Sequence, residues 1–357
     1  MKSAISCLIL GTGILFATSS RAAPLPHEAS SDEAANASAH NRSLRLQKKI
    51  NFDFENPNHV PVADDEDFAY VLMSGDEQYE SEVRELRRLV ASNLPENVKL
   101  VILTTTGSAA AIRRRYSEWI DGSRLIVASD DSPYNNNGFW ARDSFPVPVR
   151  SSDTNAVSLI AHQYYRTFNS FSAIAQSVSA KMIERNEVFV GGNLLADREG
   201  HCFAIDSDRM FDMSSSEIED IYGCKTVDIL DHLAGIGDVD EVIKPIGNKI
   251  MLTNQTAYVS QLKSLGYNVV MLPNLKGTFR TYVNALVVGK TVFMPSYGVS
   301  QDQQAQKVYE NLGYKVVKIR SNDMSDQLHG SIHCQTMAYP AMSQEQLLNG
   351  LGLRQLN

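Results

Sequence analysis

A cysteine near the C-terminus has neighbours that suit a nucleophile. Cys334 lies in the segment HGSIHCQT, after a Gly-Ser turn and directly behind His333. A thiolate is a stronger nucleophile than any other side chain offers, and nearby charges decide how readily the thiol ionises. A single cysteine is more often a small buried hydrophobe, so this segment alone gives only a candidate.

Acidic side chains form a second candidate group. Asp143 ends the sequence WARD and precedes a strand that contains prolines, whereas Asp238 and Asp240 lie two residues apart in GIGDVDEVIK. If the latter segment is extended, both of its carboxylates face the same way, which is unfavourable on an apolar strand unless they hold a cation. A turn aspartate paired with Arg142 and a solvated strand edge are the plain alternatives.

A Gly-Gly-Asn sequence is the third candidate. Gly191 and Gly192 allow close approach of the backbone to another group, and Asn193 offers an amide. A β-bulge or a hairpin would explain the same residues without any function.

These groups together meet the needs of one reaction. A guanidinium is planar, permanently cationic and has five donors, so its binding requires carboxylates such as Asp143 and Asp240. Its central carbon is a poor electrophile, which calls for a thiolate such as that of Cys334. The charge of the substrate would itself lower the pKa of the thiol. We therefore expect attack on an arginine-like side chain.

Short strands and helices alternate from Phe68 onward and must position these groups. Apolar runs predict strands over residues 68–73, 99–105, 124–129, 187–192, 249–253, 267–272 and 314–319, and a hairpin over 283–296. Stripes of apolar residues predict helices over 79–90, 108–118, 171–182, 255–265 and 302–312. This α/β alternation fits either a doubly wound sheet or a ring of small α/β modules, and periodicity does not choose between them.

The N-terminus is typical of a signal peptide. Lys2 precedes a short apolar run, and cleavage is expected near Ala22. The run is too short to cross a bilayer. We predict a signal peptide over 1–23, a flexible leader without apolar period over 24–60, and a single domain over 61–357. A secreted or periplasmic protein follows, with no membrane association after cleavage.

The charge and the cysteine content limit the partners and the kinds of site that we expect. The formal net charge of −8 makes nucleic acid an unexpected partner. Beyond the signal peptide, the odd number of cysteines suggests one pair, Cys202 with Cys224, and Cys334 as the free thiol. The spacing of cysteines and histidines does not predict zinc, and the acidic run 64–67 does not match a calcium loop. We expect neither a metal nor a cofactor.

Five short motifs occur in an order that resembles a known superfamily. These are WARD at 140–143, GGN at 191–193, GxVDE at 237–241, YVN at 282–284 and IHC at 332–334. The chain resembles, from about residue 68 to 340, the deiminase branch of the guanidine-group-modifying (pentein) superfamily, and most of all bacterial peptidylarginine deiminases and agmatine deiminases.

The resemblance implies a five-bladed α/β propeller with its active site in the central channel. It implies Cys334 as the nucleophile and Asp143 and Asp240 as the clamp for the guanidinium. The remaining residues that it assigns to the site are Asn284 as a site asparagine, Trp140 as an aromatic that packs on the substrate, Arg166 as a contact for the substrate's backbone end, and Asn193 from the GGN motif.

One position departs from the pattern of the superfamily. Its sequence Gly-His-x-Asp has a histidine as general acid and base, but this chain has Asp238 there, and His232 and His201 do not match that position. Crowding of like charges would raise the pKa of a carboxyl, so a protonated Asp238 could serve as the acid. Alternatively, the site binds arginine-like groups and turns them over slowly or not at all.

The predicted function is hydrolysis of an arginine-type guanidino group to a ureido product and ammonia. Export favours a peptide or protein substrate over a small guanidino compound such as agmatine. Transfer of the amidino group to an amine is a second hypothesis, and a non-catalytic arginine-binding module is a third.

Overall fold

The structure of the protein is a computed structural model. The structure describes residues 27–51, 58–75, 80–129, 131–132, 139–165, 182–233, 235–247, 249–275 and 279–357. The strands within these ranges form five separate small sheets rather than one continuous sheet.

The sheets follow one another along the chain. The first contains β1 (His59–Pro61), β5 (Val147–Ser151), β6 (Val157–Gln163) and β7 (Met182–Val188), the second contains β8 (Leu195–Ala196), β9 (His201–Asp206) and β10 (Thr226–Asp231), and the third contains β11 (Ile243–Ile246), β12 (Ile250–Thr253) and β13 (Asn268–Met271). The fourth contains β14 (Leu286–Val288), β15 (Thr291–Ser296) and β16 (Lys315–Arg320), and the fifth contains β17 (Thr336–Pro340), β2 (Phe68–Ser74), β3 (Lys99–Thr104) and β4 (Leu125–Ser129).

Every sheet repeats one pattern of pairing. An antiparallel pair is followed by a parallel neighbour: β5–β6 then β7, β8–β9 then β10, β11–β12 then β13, β14–β15 then β16, and β17–β2 then β3. A parallel connection needs a crossover, which a helix usually supplies. In the last sheet the late strand β17 pairs with the early strand β2, so the two ends of the domain meet. This arrangement confirms the predicted five-bladed α/β architecture and excludes the doubly wound sheet.

The helices lie mainly in these crossovers. They are α1 (Ser31–Asn51), α2 (Glu80–Asn93), α3 (Ala109–Tyr116), α4 (Ala141–Ser144), α5 (Ser215–Tyr222), α6 (Val259–Ser264), α7 (Gln301–Asn311), α8 (Asn322–Leu328) and α9 (Gln344–Gly350). The predicted helices at 79–90, 108–118, 255–265 and 302–312 correspond to α2, α3, α6 and α7. The one predicted over 171–182 lies almost entirely outside the described residues. None of the helices described is both long and apolar enough to span a bilayer.

The N-terminal segment differs from the prediction of a leader without structure. Within 24–60, residues 31–51 form α1, whose side chains Ala34 and Ala37 are buried against Tyr165 and Phe211. The sequence has no clear apolar stripe because small residues, not large ones, make this contact. The signal peptide and its cleavage site lie outside the described residues.

A disulfide bond lies in the second blade. Cys202 of β9 is bonded to Cys224, which follows α5. The predicted pairing is therefore confirmed, and within the described residues Cys334 is the free cysteine.

Candidate active site

The motif residues lie at equivalent places in the five blades. Asp143, Asn193, Asp240, Asn284 and Cys334 each lie a few residues before the first strand of an antiparallel pair, namely β5, β8, β11, β14 and β17. Since the blades repeat one pattern, these short segments converge on one region. All five side chains are almost fully buried.

The thiol of Cys334 is held by Asn284. Its Sγ lies 3.0 Å from the Asn284 Nδ2 and 3.4 Å from the Oδ1. The same Oδ1 accepts a hydrogen bond from the backbone N–H of His333 at 3.1 Å. Asn284 therefore fixes both the sulfur and the backbone that carries it.

The electrostatic surroundings of Cys334 oppose a resting thiolate. Burial raises the pKa of the Cys334 thiol well above its ordinary value, and the charges of Asp240, Glu241 and Asp143 raise it further. A cation placed beside the sulfur would act in the opposite direction. The site thus favours ionisation of the thiol only when a positive group is bound.

Asp240 is the carboxylate that contacts the sulfur. Its Oδ2 lies 3.8 Å from the Cys334 Sγ and 2.6 Å from the Nδ1 of His333. Its Oδ1 is buried and has no hydrogen-bond partner among the described residues. An unpaired buried carboxylate oxygen costs free energy, and a cationic donor would satisfy it.

His333 links Asp240 to a second buried acid. Its Nε2 lies 2.8 Å from Asp64 Oδ1, and the other oxygen of Asp64 accepts a hydrogen bond from the Nζ of Lys244 at 2.6 Å. These partners and Arg142 together hold the pKa of Asp64 well below its ordinary value although burial acts to raise it. This chain of contacts orients the Asp240 carboxylate.

Asp143 and Asp238 share one guanidinium of the protein itself. The Arg209 Nη2 donates to Asp143 Oδ2 at 2.6 Å and to Asp238 Oδ2 at 2.7 Å, and its Nε donates to Asp238 Oδ1 at 2.5 Å. All three side chains are almost fully buried. The pairing is bidentate on Asp238, the geometry in which carboxylates recognise a guanidinium most strongly.

The pKa values of the Asp143 and Asp238 carboxyls are shifted in opposite directions. Despite burial, His27 and Arg209 lower the pKa of Asp143 below its ordinary value. Burial raises the pKa of Asp238 to about 6 and the charge of Asp143 adds to this, although Arg209 opposes it. The direction agrees with the sequence argument, but burial rather than crowding is the larger cause.

Asp238 and Asp240 would share a face only in an extended segment, and the segment is not extended. Residues 239–241 form a 3-10 turn rather than an extended strand. Asp238 therefore turns towards Arg209, whereas Asp240 turns towards His333 and Cys334.

The Gly-Gly-Asn turn brings Asp143 and Asp238 together. The N–H of Gly192 donates to Asp143 Oδ1 at 3.2 Å, and a Cβ at Gly192 would lie only 2.7 Å from Asp238 Oδ2 and 2.8 Å from Asp143 Oδ1. Asn193 uses its amide on backbone groups of Ile205 and Val239. It thus positions the Asp238 loop, which is an architectural role.

Trp140 lies beside the site, and its ring is covered by a residue of the N-terminal segment. His27 stacks on Trp140 with ring centroids 4.3 Å apart, and its Nε2 lies 2.7 Å from Asp143 Oδ2. Arg166, the predicted contact for the backbone end of a substrate, lies outside the described residues.

Three of these side chains are close enough to hold a metal ion, namely His27, Asp143 and Asp238. The guanidinium of Arg209 is bonded to both carboxylates. The positive charge of Arg209 therefore already occupies the place that a metal ion would take. These three side chains fit a buried ion pair with Arg209 better than a metal centre.

Sequence reasoning missed Arg209, His27 and Asp64. Arg209 occupies a turn directly after β9, whereas the candidates found from the sequence lie in turns before a strand, so its position gave no signal of the same kind. His27 contacts Asp143 and Asp64 contacts His333, both more than a hundred residues away in the sequence, so no local pattern points to either contact.

Comparison with known proteins agrees with the motifs. The sequence model of the family described as Porphyromonas-type peptidyl-arginine deiminase matches residues 251–340. A Streptococcus mutans protein named as an agmatine deiminase is 28% identical over 98 residues, which are 26% of this chain and 26% of that protein. The matched stretch thus spans about a quarter of the curated relative.

Solved structures resemble the chain over most of its length. An arginine deiminase structure from Porphyromonas gingivalis has a TM-score of 0.62 and 20% identity, covering 79% of this chain and 98% of its own. The C. jejuni agmatine deiminase has a TM-score of 0.63 and 13% identity, covering 80% and 97%. In fold along most of its length, and in sequence over part of its C-terminal third, the chain resembles the deiminases of the guanidine-modifying superfamily, as its motifs predicted.

Proposed function

We propose that the chain hydrolyses the guanidino group of an arginine-type substrate, with Cys334 as the nucleophile. The observation that carries the proposal is the buried Cys334 Sγ between the Asn284 amide and the Asp240 carboxylate, whose second oxygen has no partner among the described residues. A guanidinium donating to that oxygen would bring its carbon close to the sulfur.

The steps follow from this placement. The bound cation lowers the pKa of the thiol, and the thiolate attacks the guanidino carbon. The C–N bond to one terminal nitrogen breaks, and that nitrogen takes up a proton and leaves as ammonia. The resulting thiouronium group reacts with water, the C–S bond breaks, and the ureido product leaves with the thiol restored.

A proton donor is needed for the leaving nitrogen. Asp238 is the candidate because its pKa is raised to about 6. The hydrogen bonds from Arg209 compete with this role, since they stabilise the ionised carboxylate. Asp238 could therefore donate only after Arg209 shifts.

The fold and the relatives support this class of reaction. A cysteine-to-serine variant of C. jejuni agmatine deiminase, with substrate bound, has a TM-score of 0.60 to this chain. We further propose that the substrate is peptidylarginine, because the N-terminal sequence is typical of an exported protein and agmatine is expected inside cells.

The pairing of Arg209 with Asp238 favours a second candidate, a non-catalytic module that binds arginine-like groups. Incubation of the protein with arginine peptides, free arginine and agmatine separates the two candidates. We expect a ureido product and ammonia in equal amounts. Binding of an arginine derivative without product from any substrate between pH 5 and 8 would favour the binding module, and amidino transfer to an added amine would indicate a transferase.

A further inference from the structure

The N-terminal segment 27–51 is fastened to the domain by a polar anchor. The Nδ2 of Asn41 donates to the carbonyls of Val188 and Phe211, both at 2.9 Å, and its Oδ1 accepts from the Val188 N–H at 2.8 Å. Asn41 is buried, and Arg45 adds an ion pair with Glu217 at 2.9 Å. The contacts described for α1 are thus specific, although none of them involves Cys334.

The front end of this segment lies inside the candidate site. His27 is fully buried, its N–H donates to the Leu328 carbonyl at 2.9 Å, and its carbonyl accepts from the Tyr165 hydroxyl at 2.8 Å and from Arg209 Nη1 at 2.9 Å. The fit is close, since a Cβ at Gly330 would lie 3.2 Å from the His27 Nδ1.

His27 takes the partners that a substrate would need. Its imidazole covers the face of Trp140 and bonds to Asp143 Oδ2, the same oxygen that Arg209 contacts. A planar aromatic group beside a carboxylate is where a planar guanidinium would lie. No substrate group can occupy this place while His27 is there.

The same segment lines part of an adjoining cavity. It has a volume of about 890 Å³ and is lined by Glu28, Ala29, Arg209, Ile236 and Phe279 among others, but not by Cys334. Glu28 and Ala29 thus line this cavity, and the adjacent His27 bonds to the buried carboxylate of Asp143.

We propose that residues 27–51 are a built-in inhibitory segment whose release opens the site to substrate. The inference rests on the proposed function, because it takes Cys334 as nucleophile and Asp143 as a substrate contact. Local opening of a surface helix is less costly than global unfolding, so release needs no change in the five blades.

The experiment measures access to Cys334 in the full chain. Wild type, Asn41→Ala and His27→Ala are treated with iodoacetamide without reductant, and alkylation of Cys334 is followed by peptide mapping. Leu46→Ala is the matched control, because Leu46 lies on α1 with 65% of its side chain exposed. Thermal unfolding of each variant checks that the domain remains folded.

We expect Cys334 to be alkylated at least about tenfold faster in Asn41→Ala and His27→Ala than in wild type, because each variant loses buried contacts that hold the segment. We expect the alkylation rate of Leu46→Ala to match that of wild type. Equal alkylation rates in all four folded proteins would overturn the proposal. So would a product assay in which Asn41→Ala is active and His27→Ala is not, since His27 would then act in the chemistry. Faster alkylation without product in any variant supports the inhibitory segment and contradicts the proposed function.

Discussion

The carboxylate of Asp240 lies 3.8 Å from the sulfur of Cys334 while its other oxygen has no partner among the described residues. Burial raises the pKa of the thiol, and a negative charge this close raises it further. The same charge attracts a guanidinium to the sulfur. Substrate binding and activation of the nucleophile thus depend on one carboxylate.

The first prediction concerns that carboxylate. Asp240→Asn removes the charge and weakens binding of an arginine derivative by about 2–5 kcal/mol, because a buried cation loses its ionic partner. Calorimetric titration measures this loss. The control is Asp326→Asn, whose carboxylate pairs with Arg280 at the surface. An affinity within a few-fold of wild type would remove Asp240 from the substrate site.

The second prediction is the pH dependence of turnover. If Asp238 donates the proton, it must be protonated, and its pKa of about 6 makes that form scarcer as pH rises. We expect kcat to fall about tenfold per pH unit above this value. Asp238→Asn should be nearly inactive, and Asp238→His should shift the optimum towards neutral pH. Full activity of Asp238→Asn would show that another group is the acid.

The third prediction concerns the buried acid behind the site. The pKa of the Asp64 carboxyl is lowered in the folded protein. The ion pairs of Asp64 therefore stabilise the fold at pH values above the ordinary carboxyl pKa, and this stabilisation is lost progressively as the pH falls from there through the lowered pKa. Asp64→Asn should lower the free energy of unfolding by about 3–5 kcal/mol at pH 7. The difference from wild type should shrink at pH 3. Denaturant titrations at both pH values test this, and an equal difference at the two would contradict it.

The fourth prediction concerns the disulfide bond of the second blade. Cys202 and Cys224 close a loop with a sequence separation of 22. Replacing both by alanine should lower the free energy of unfolding by roughly 3 kcal/mol, since the unfolded chain regains freedom. Differential scanning calorimetry compares the variant with wild type under non-reducing conditions. An unchanged unfolding temperature would show that the bond contributes nothing to stability.

The sequence predicted those parts of the site that are local. Short apolar runs predict the strands. The turns before β5, β8, β11, β14 and β17 are also short patterns, and each turn carries a residue with recognisable chemistry. The equivalence of these turns explains why motifs far apart in sequence meet. Periodicity could not reveal this, because a ring and an open sheet have the same alternation of elements.

Long-range contacts could not be predicted in this way. The 3-10 turn at residues 239–241 separates Asp238 from Asp240, and the Val239 N–H in this turn donates a hydrogen bond to the distant Asn193 Oδ1. The docking of His27 depends on α1, which buries alanines rather than a stripe of large apolar residues. Neither feature leaves a periodic signal in the sequence.

The central claim is that the thiol of Cys334 attacks the guanidino carbon. Its most direct test is acid quenching during turnover of an arginine peptide, followed by peptide mapping of wild type and Cys334→Ser. We predict an adduct on Cys334 with the mass of the substrate less one ammonia, and a loss of product on the order of a thousandfold or more in the serine variant with unchanged thermal unfolding. Product at the wild-type rate from a folded Cys334→Ser variant would contradict the account.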